Sequence, residues 1–186
     1  MRKYTDQKVS HDQIKAIVKA ASLAPSAKNR QPWKYLVYEG KAKEELLSAM
    51  ERGLEREKKE HCLLPGSAFA LPGAFQTLSI MRKAPVTIIV MDPDGRSPYE
   101  PVNADERLAE ICDSLSIGAS IQNMLLKATQ LGLGTLWIAN TCFAYNDMVE
   151  VIPSKGQLIG AVAVGYAAEK PYPRPRKKLE EILEYM

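Results

Sequence analysis

Between Ala24 and Trp33 the sequence reads Ala-Pro-Ser-Ala-Lys-Asn-Arg-Gln-Pro-Trp. An amphipathic helix pattern precedes this stretch, and Lys34-Tyr35-Leu36-Val37-Tyr38 reads as a strand of β-branched and aromatic residues. A helix-to-strand junction needs only a few residues of ordinary turn chemistry. This one adds two prolines, a hydroxyl, amides, two cations and a tryptophan. Pro25 is expected to end the helix, because it lacks an N–H and its ring clashes with the preceding turn. Pro32 is expected to hold Gln31 extended and to launch the strand. Ser26, Ala27 and Asn29 supply backbone N–H groups and short side chains, which suits contact with a flat, polar-edged ligand. A plain loop with Trp33 plugging the core fits the composition equally well.

Two further stretches carry candidate chemistry. Gly132-Leu133-Gly134-Thr135-Leu136-Trp137-Ile138-Ala139-Asn140 has G-x-G spacing, but the third glycine of a dinucleotide loop is missing. Its glycines also follow a helix and open a strand, the reverse of a Rossmann turn, so that fold is excluded. Near the C-terminus, Lys170-Pro171-Tyr172-Pro173-Arg174-Pro175-Arg176-Lys177-Lys178 sets five cations among stiffening prolines. A run of this kind serves polyanion contact or is simply solvated.

In this order, the three stretches resemble motifs of the nitroreductase family of flavoproteins. A-P-S-A-x-N-x-Q-P-W is similar to the family's A-P-S-S-x-N-x-Q-P-W, with Ala27 in place of a second serine. G-L-G-T-x-W-I-A is similar to G-L-G-T-x-W-I-G, with Ala139 in place of glycine. V-G-Y followed by P-R-P-R-K-x-L-E-E-I resembles the C-terminal cofactor motif. The resemblance implies an FMN site at a homodimer interface, bordered by Pro25, Ser26, Ala27, Asn29 and Gln31. It further implies that Leu136, Trp137, Ile138 and Ala139 pack on one face of the isoalloxazine. By the same resemblance, Arg174 and Arg176 grip the phosphate, a task suited to the planar guanidinium fork. Arg2-Lys3-Tyr4 matches the end of the family's N-terminal motif, which sets Arg2 near the pyrimidine edge of the flavin. The phosphate-binding residues upstream of that point in the motif have no counterpart here.

The elements that must position these residues are legible in outline. Ser10-His11-Asp12-Gln13 is a capping box, followed by Ile14, Ile17, Val18 and Ala21 on one helical face. Lys41 to Arg56 forms a second amphipathic helix with Leu46, Leu47, Met50 and Leu54 inward. From His61 to Ala74 the pattern breaks around Pro65-Gly66 and Pro72-Gly73, giving a cap over a pocket or a long connection. At least two of Phe69, Leu71 and Phe75 are expected to pack on the core. Val86 to Met91 is apolar on both faces and reads as a central strand. A long helix spans about Ala104 to Leu131, and its Leu115–Met124 centre carries Gly118, Ala119 and Ser120, which allow close approach. The resemblance makes that helix the dimer contact. A short helix over Ala144–Ile152 and a last strand over Leu158–Tyr166 complete the core. The expected fold is α+β, a mainly antiparallel sheet of four or five strands flanked by helices in one domain, residues 1–186.

Composition bounds the remaining possibilities. The 186 residues are 46% hydrophobic and 25% charged, with a net charge of +3. That is the balance of an ordinary soluble globule, and it does not argue for nucleic acid as partner. No run is long and apolar enough to span a membrane, and Met1 to Asp6 has no signal-peptide core. Cys62, Cys112 and Cys142 lack metal-ligand or C-x-x-C spacing, as free thiols in a reducing cytoplasm would. His11 and His61 stand alone. The resemblance implies an enzyme that takes hydride from NAD(P)H at flavin N5 and passes two electrons to a nitroaromatic, quinone or similar small oxidant, with ping-pong kinetics. No side chain is needed as general acid or base, and no metal is implied. A different flavin-dependent redox enzyme of the same superfamily, such as a dehalogenase, a dehydrogenase or a flavin-fragmenting enzyme, is the alternative, as is a flavin-binding protein without turnover.

Overall fold

A computed structural model describes residues 1–186. The first helix, α1 (His11–Ala21), starts where the capping box sets it: the Gln13 amide donates to the Ser10 hydroxyl, and the Ser10 amide donates to the Gln13 side chain. The helix proper ends at Ala21, earlier than Pro25. Leu23 and Ala24 continue the winding with tighter bonds to Ala20 and Ala21, and the series stops at Pro25, which has no N–H to extend it.

Four strands follow: β1 (Lys34–Glu39), β2 (Val86–Asp92), β3 (Gly134–Ile138) and β4 (Gln157–Gly165). They lie in the order β1-β2-β4-β3, each neighbouring pair antiparallel. Strand β2, apolar apart from Thr87 and the terminal Asp92, is central and buried along its whole length, as its sequence predicts. Both sheet faces are covered. On one, Ile88, Val90, Val162 and Val164 meet Ile17 of α1 and Ile117, Ile121 and Met124 of α4 (Ala104–Gln130). On the other, Ile89, Met91, Ala161 and Ala163 meet α2 (Gly40–Glu60), α3 (Leu71–Lys83) and α5 (Tyr145–Val151) through Leu47, Met50, Met81 and Met148. The architecture is the expected α+β sheet flanked by helices.

The His61–Ala74 region is more regular than its composition implies. A short 3-10 stretch covers Pro65–Ala70, and α3 begins at Leu71. Pro72 falls in the first turn of α3, where its missing N–H costs no helical bond. Leu71 is buried and Phe75 packs on the core, whereas Phe69 is exposed. After β4 the chain carries one 3-10 turn at Leu179–Glu181, and residues 170–186 lie almost wholly in solvent.

Candidate functional site

The Ser26–Gln31 loop is wound against the preferences of its residues. Lys28, Asn29 and Gln31 have φ of 52°, 54° and 51°, the left-handed region in which side chains crowd the backbone. Asparagine tolerates this region, but Lys28 and Gln31 cost about 1–3 kcal/mol each there and persist where their surroundings hold them. Gln31 is therefore not extended, contrary to the expectation from Pro32. Its N–H donates to the Ser26 hydroxyl at 3.0 Å, a bond that folds the loop back on itself and outweighs the pre-proline preference. The Asn29 amide donates to the Ser26 carbonyl and the Arg30 amide to that of Ala27, closing a single 3-10 turn.

Helix α4 fastens this loop. Arg30 forms an ion pair with Asp113 at 2.9 Å, and the Asp113 side chain is only 6% exposed. One turn on, the Ser116 hydroxyl accepts the Ala27 N–H at 3.3 Å. Further along α4, the Ser120 hydroxyl hydrogen-bonds Tyr35, the second residue of β1. Arg30 and Asp113 also floor a polar cavity of about 210 Å³ that reaches Asp92 and Gln157. Burial, with the charge of Asp113 nearby, pushes the Asp92 carboxyl above its ordinary range.

On the other flank of α4 stands β3. Gly118 and Ser116 are two residues apart, hence about 200° around the helix. Gly118 faces Trp137, which is 46% exposed, while Ser116 faces the loop. Between these flanks the outward stripe of α4 presents Leu108, Ile111, Leu115 and Leu126, all exposed. The four residues expected to form a common apolar platform divide between layers. Leu136 and Ile138 pack into the α2-α3-α5 core, Trp137 points toward α4, and Ala139 is exposed just past the strand. Alternation along an edge strand makes this division unavoidable.

Arg2 lies elsewhere. The N-terminal ammonium donates to the Thr135 carbonyl at 2.8 Å, and the Glu169 carboxylate accepts the Arg2 and Lys3 amides. Arg2 thus sits by the start of β3. The Ser26–Gln31 loop sits by the start of β1, which pairs with the end of β2 at Met91. These are diagonal corners of one sheet, separated by three strand spacings and about five residues of strand, roughly 20 Å or more. Arg174 and Arg176 are exposed in the tail, and the Arg176 guanidinium donates to the Pro175 carbonyl at 3.1 Å. Within one chain, then, the structure gathers the loop with α4 and Arg2 with β3, but does not bring the two groups together. No cluster of three His, Cys, Asp or Glu side chains is placed to hold a metal ion, and no helix is long and apolar enough to cross a membrane.

The sequence model of the nitroreductase family matches residues 1–166, nearly the whole chain. The chain belongs to the nitroreductase family. A protein of Archaeoglobus fulgidus, provisionally named an NADH dehydrogenase/NAD(P)H nitroreductase, is 28% identical over 139 residues, which span 74% of this chain and 60% of that protein. A BluB-like flavoprotein from Clostridium difficile superposes with a TM-score of 0.75 at 23% identity, covering 100% of this chain and 93% of the other. A provisionally named nitroreductase from Desulfovibrio desulfuricans, solved in complex with FMN, gives a TM-score of 0.66 at 25% identity, covering 100% and 90%.

In this nitroreductase-family chain, sequence reasoning missed Asp113 and Ser116. Each looks like an ordinary polar residue of a long helix. The only local signal was a carboxylate at a position that the helical period turns inward, beside Ile117 and Ile121.

Proposed function

We propose that two copies of this chain form a homodimer with two FMN sites, and that the flavoprotein oxidises NAD(P)H and reduces a nitroaromatic, quinone or similar small oxidant. One observation carries the proposal: the Ser26–Gln31 loop and the Arg2–β3 group stand at diagonal corners of one sheet, flanking an unpartnered apolar stripe on α4. Pairing two such stripes about a two-fold axis, with the loop side of one copy toward the β3 side of the other, unites both groups. Burying Leu108, Ile111 and Leu115 there would contribute about 1.5–3 kcal/mol for each large side chain.

The residues present fit FMN. Arg2, Lys28, Arg174 and Arg176 form no ion pair within the chain, leaving four cations for a phosphate and for negative charge on a reduced ring. The bound FMN complex of the Desulfovibrio relative and the name of the Archaeoglobus relative support the same cofactor and co-substrate. FMN, when bound, would supply the two-electron chemistry between nicotinamide and oxidant. Arg174 and Arg176 would hold its phosphate by charge-assisted bonds. Arg2 would stabilise negative charge at the pyrimidine edge of the ring. Pro25, Ser26, Ala27, Asn29 and Gln31 would border the ring from the partner's side, and Trp137 and Ala139 would cover it. For Leu136 and Ile138, whose side chains are committed to the core, the contribution would come through the backbone. No side chain is assigned as general acid or base, since water can deliver the protons.

The test is direct. Purified protein supplied with FMN should be yellow, dimeric, and able to oxidise NADH or NADPH with menadione or a nitroaromatic as acceptor. Protein that takes up FMN without turnover would leave a flavin carrier, and protein that takes up none would overturn the proposal.

A further inference from the structure

We infer that Asp113 is a positioning residue: from inside α4 it holds Arg30, and through Arg30 it keeps the Ser26–Gln31 loop in the shape that receives the flavin ring. This rests on the flavin site proposed above. The loop's own hydrogen bonds run between Ser26, Ala27, Asn29, Arg30 and Gln31 and travel with it, so they cannot fix it to the body of the protein. Two polar contacts tie the loop to α4, namely Arg30 to Asp113 and the Ala27 amide to Ser116. The Ser116 bond is long, at 3.3 Å, and its hydroxyl already donates to the Cys112 carbonyl at 2.7 Å. The ion pair is the stronger tie, because it joins full charges across a buried carboxylate.

Asp113 is also poorly satisfied without Arg30. Its second oxygen, Oδ1, is buried and has no hydrogen-bond partner, so the Arg30 guanidinium is the one group that compensates the carboxylate. Three left-handed non-glycine residues lie within reach of Arg30, and a loop so wound relaxes once its anchor is released. Since α4 also carries the outward stripe at Leu108, Ile111 and Leu115, one rigid element sets both the subunit contact and the loop.

Asp113→Asn keeps the side-chain size and one carbonyl acceptor while removing the charge. It should weaken FMN at least tenfold, and riboflavin by the same factor, because the loop borders the ring and not the phosphate. The visible circular dichroism of the bound flavin should change as well, a readout that a loss of global stability alone would not move. Arg30→Lys keeps the charge but loses the fork. In the flavin-free protein it should speed amide hydrogen exchange at residues 27–31 several-fold while leaving the β2 and β4 amides unchanged, and it serves if Asp113→Asn fails to fold. Wild type that binds FMN, beside an Asp113→Asn that binds it equally well with the same dichroism, would overturn the inference and leave the flavin site standing. Unchanged loop exchange in Arg30→Lys would overturn it too. Wild type that binds no flavin would overturn the functional proposal, and the positioning role with it.

Discussion

Trp137 of β3 lies against Gly118 of α4, so that a methyl carbon built on Gly118 would stand 3.8 Å from Cη2 of the indole. That distance is ordinary van der Waals contact, and Gly118→Ala should leave the monomer fold intact. Gly118→Arg should differ. Its side chain would displace Trp137 and set a charge beside the α4 stripe, opposite the same charge in a two-fold partner. Dimerisation and FMN retention should be lost together, as sedimentation velocity and the flavin spectrum would report. A stable, yellow Gly118→Arg dimer would move the subunit contact away from α4.

The phosphate grip separates cleanly from the ring contacts. Replacing Arg174 and Arg176 together by Ala should weaken FMN by roughly 30-fold or more, given the strength of hydrogen bonds to charged groups. Riboflavin, which lacks the phosphate, should lose little. Fluorescence-quenching titration with both ligands makes the comparison. Equal losses would mean that the tail supports the fold and does not hold phosphate.

Gly53 sets helix propensity against packing. Alanine favours a helix interior over glycine by about 1 kcal/mol. Yet a Cβ at Gly53 would fall 2.6 Å from Ala144 Cβ and 2.7 Å from Ala144 Cα, where α2 meets the segment leading into α5. Backbone cannot step aside as a flexible side chain can, and overpacking of this kind costs about 1–3 kcal/mol. Gly53→Ala should therefore destabilise, read as a lower urea midpoint. A raised midpoint would show that α2 slides freely over Ala144.

What the sequence disclosed depended on whether the deciding interaction was local. The Ser10 capping box and the apolar run Ile88–Met91 of β2 carry their own explanation within a few residues, and both stand where expected. Pro72 was misleading because a proline that breaks a helix from inside is welcome in its first turn, and no neighbouring residue says which case holds. Gln31 departs from the extended form because Ser26, five residues earlier, captures its amide. The signature loop was legible as a motif, but its anchor was not. Asp113 pairs with Arg30 across the fold, and nothing in the spacing of either residue announces the other. Leu136 and Ile138 illustrate the converse: strand alternation was available from the start, yet a motif read as one surface hid it.

Glu57 carries the last prediction. It lies near the end of α2, only 1% exposed. Its carboxylate accepts the Cys62, Leu63 and Leu64 amides at 3.1, 2.9 and 2.8 Å, and the Cys62 thiol at 3.3 Å. Burial alone would push its pKa up, but the four donors together hold it below the ordinary carboxylate range. A carboxylate whose folded-state pKa is depressed contributes stability that is complete above its unfolded-state value, about 4.3, and is lost as pH falls through the lower folded value. Glu57→Gln turns an NH2 group toward some of those donors and should cost about 2 kcal/mol at neutral pH. The gap to wild type should narrow in acid, because wild type loses the Glu57 contribution there and the amide has none to lose. Urea unfolding of both proteins at roughly pH 7 and pH 3.5, either side of that carboxyl range, checks this. A gap that stays constant between the two pH values would mean that Glu57 acts by shape and not by charge.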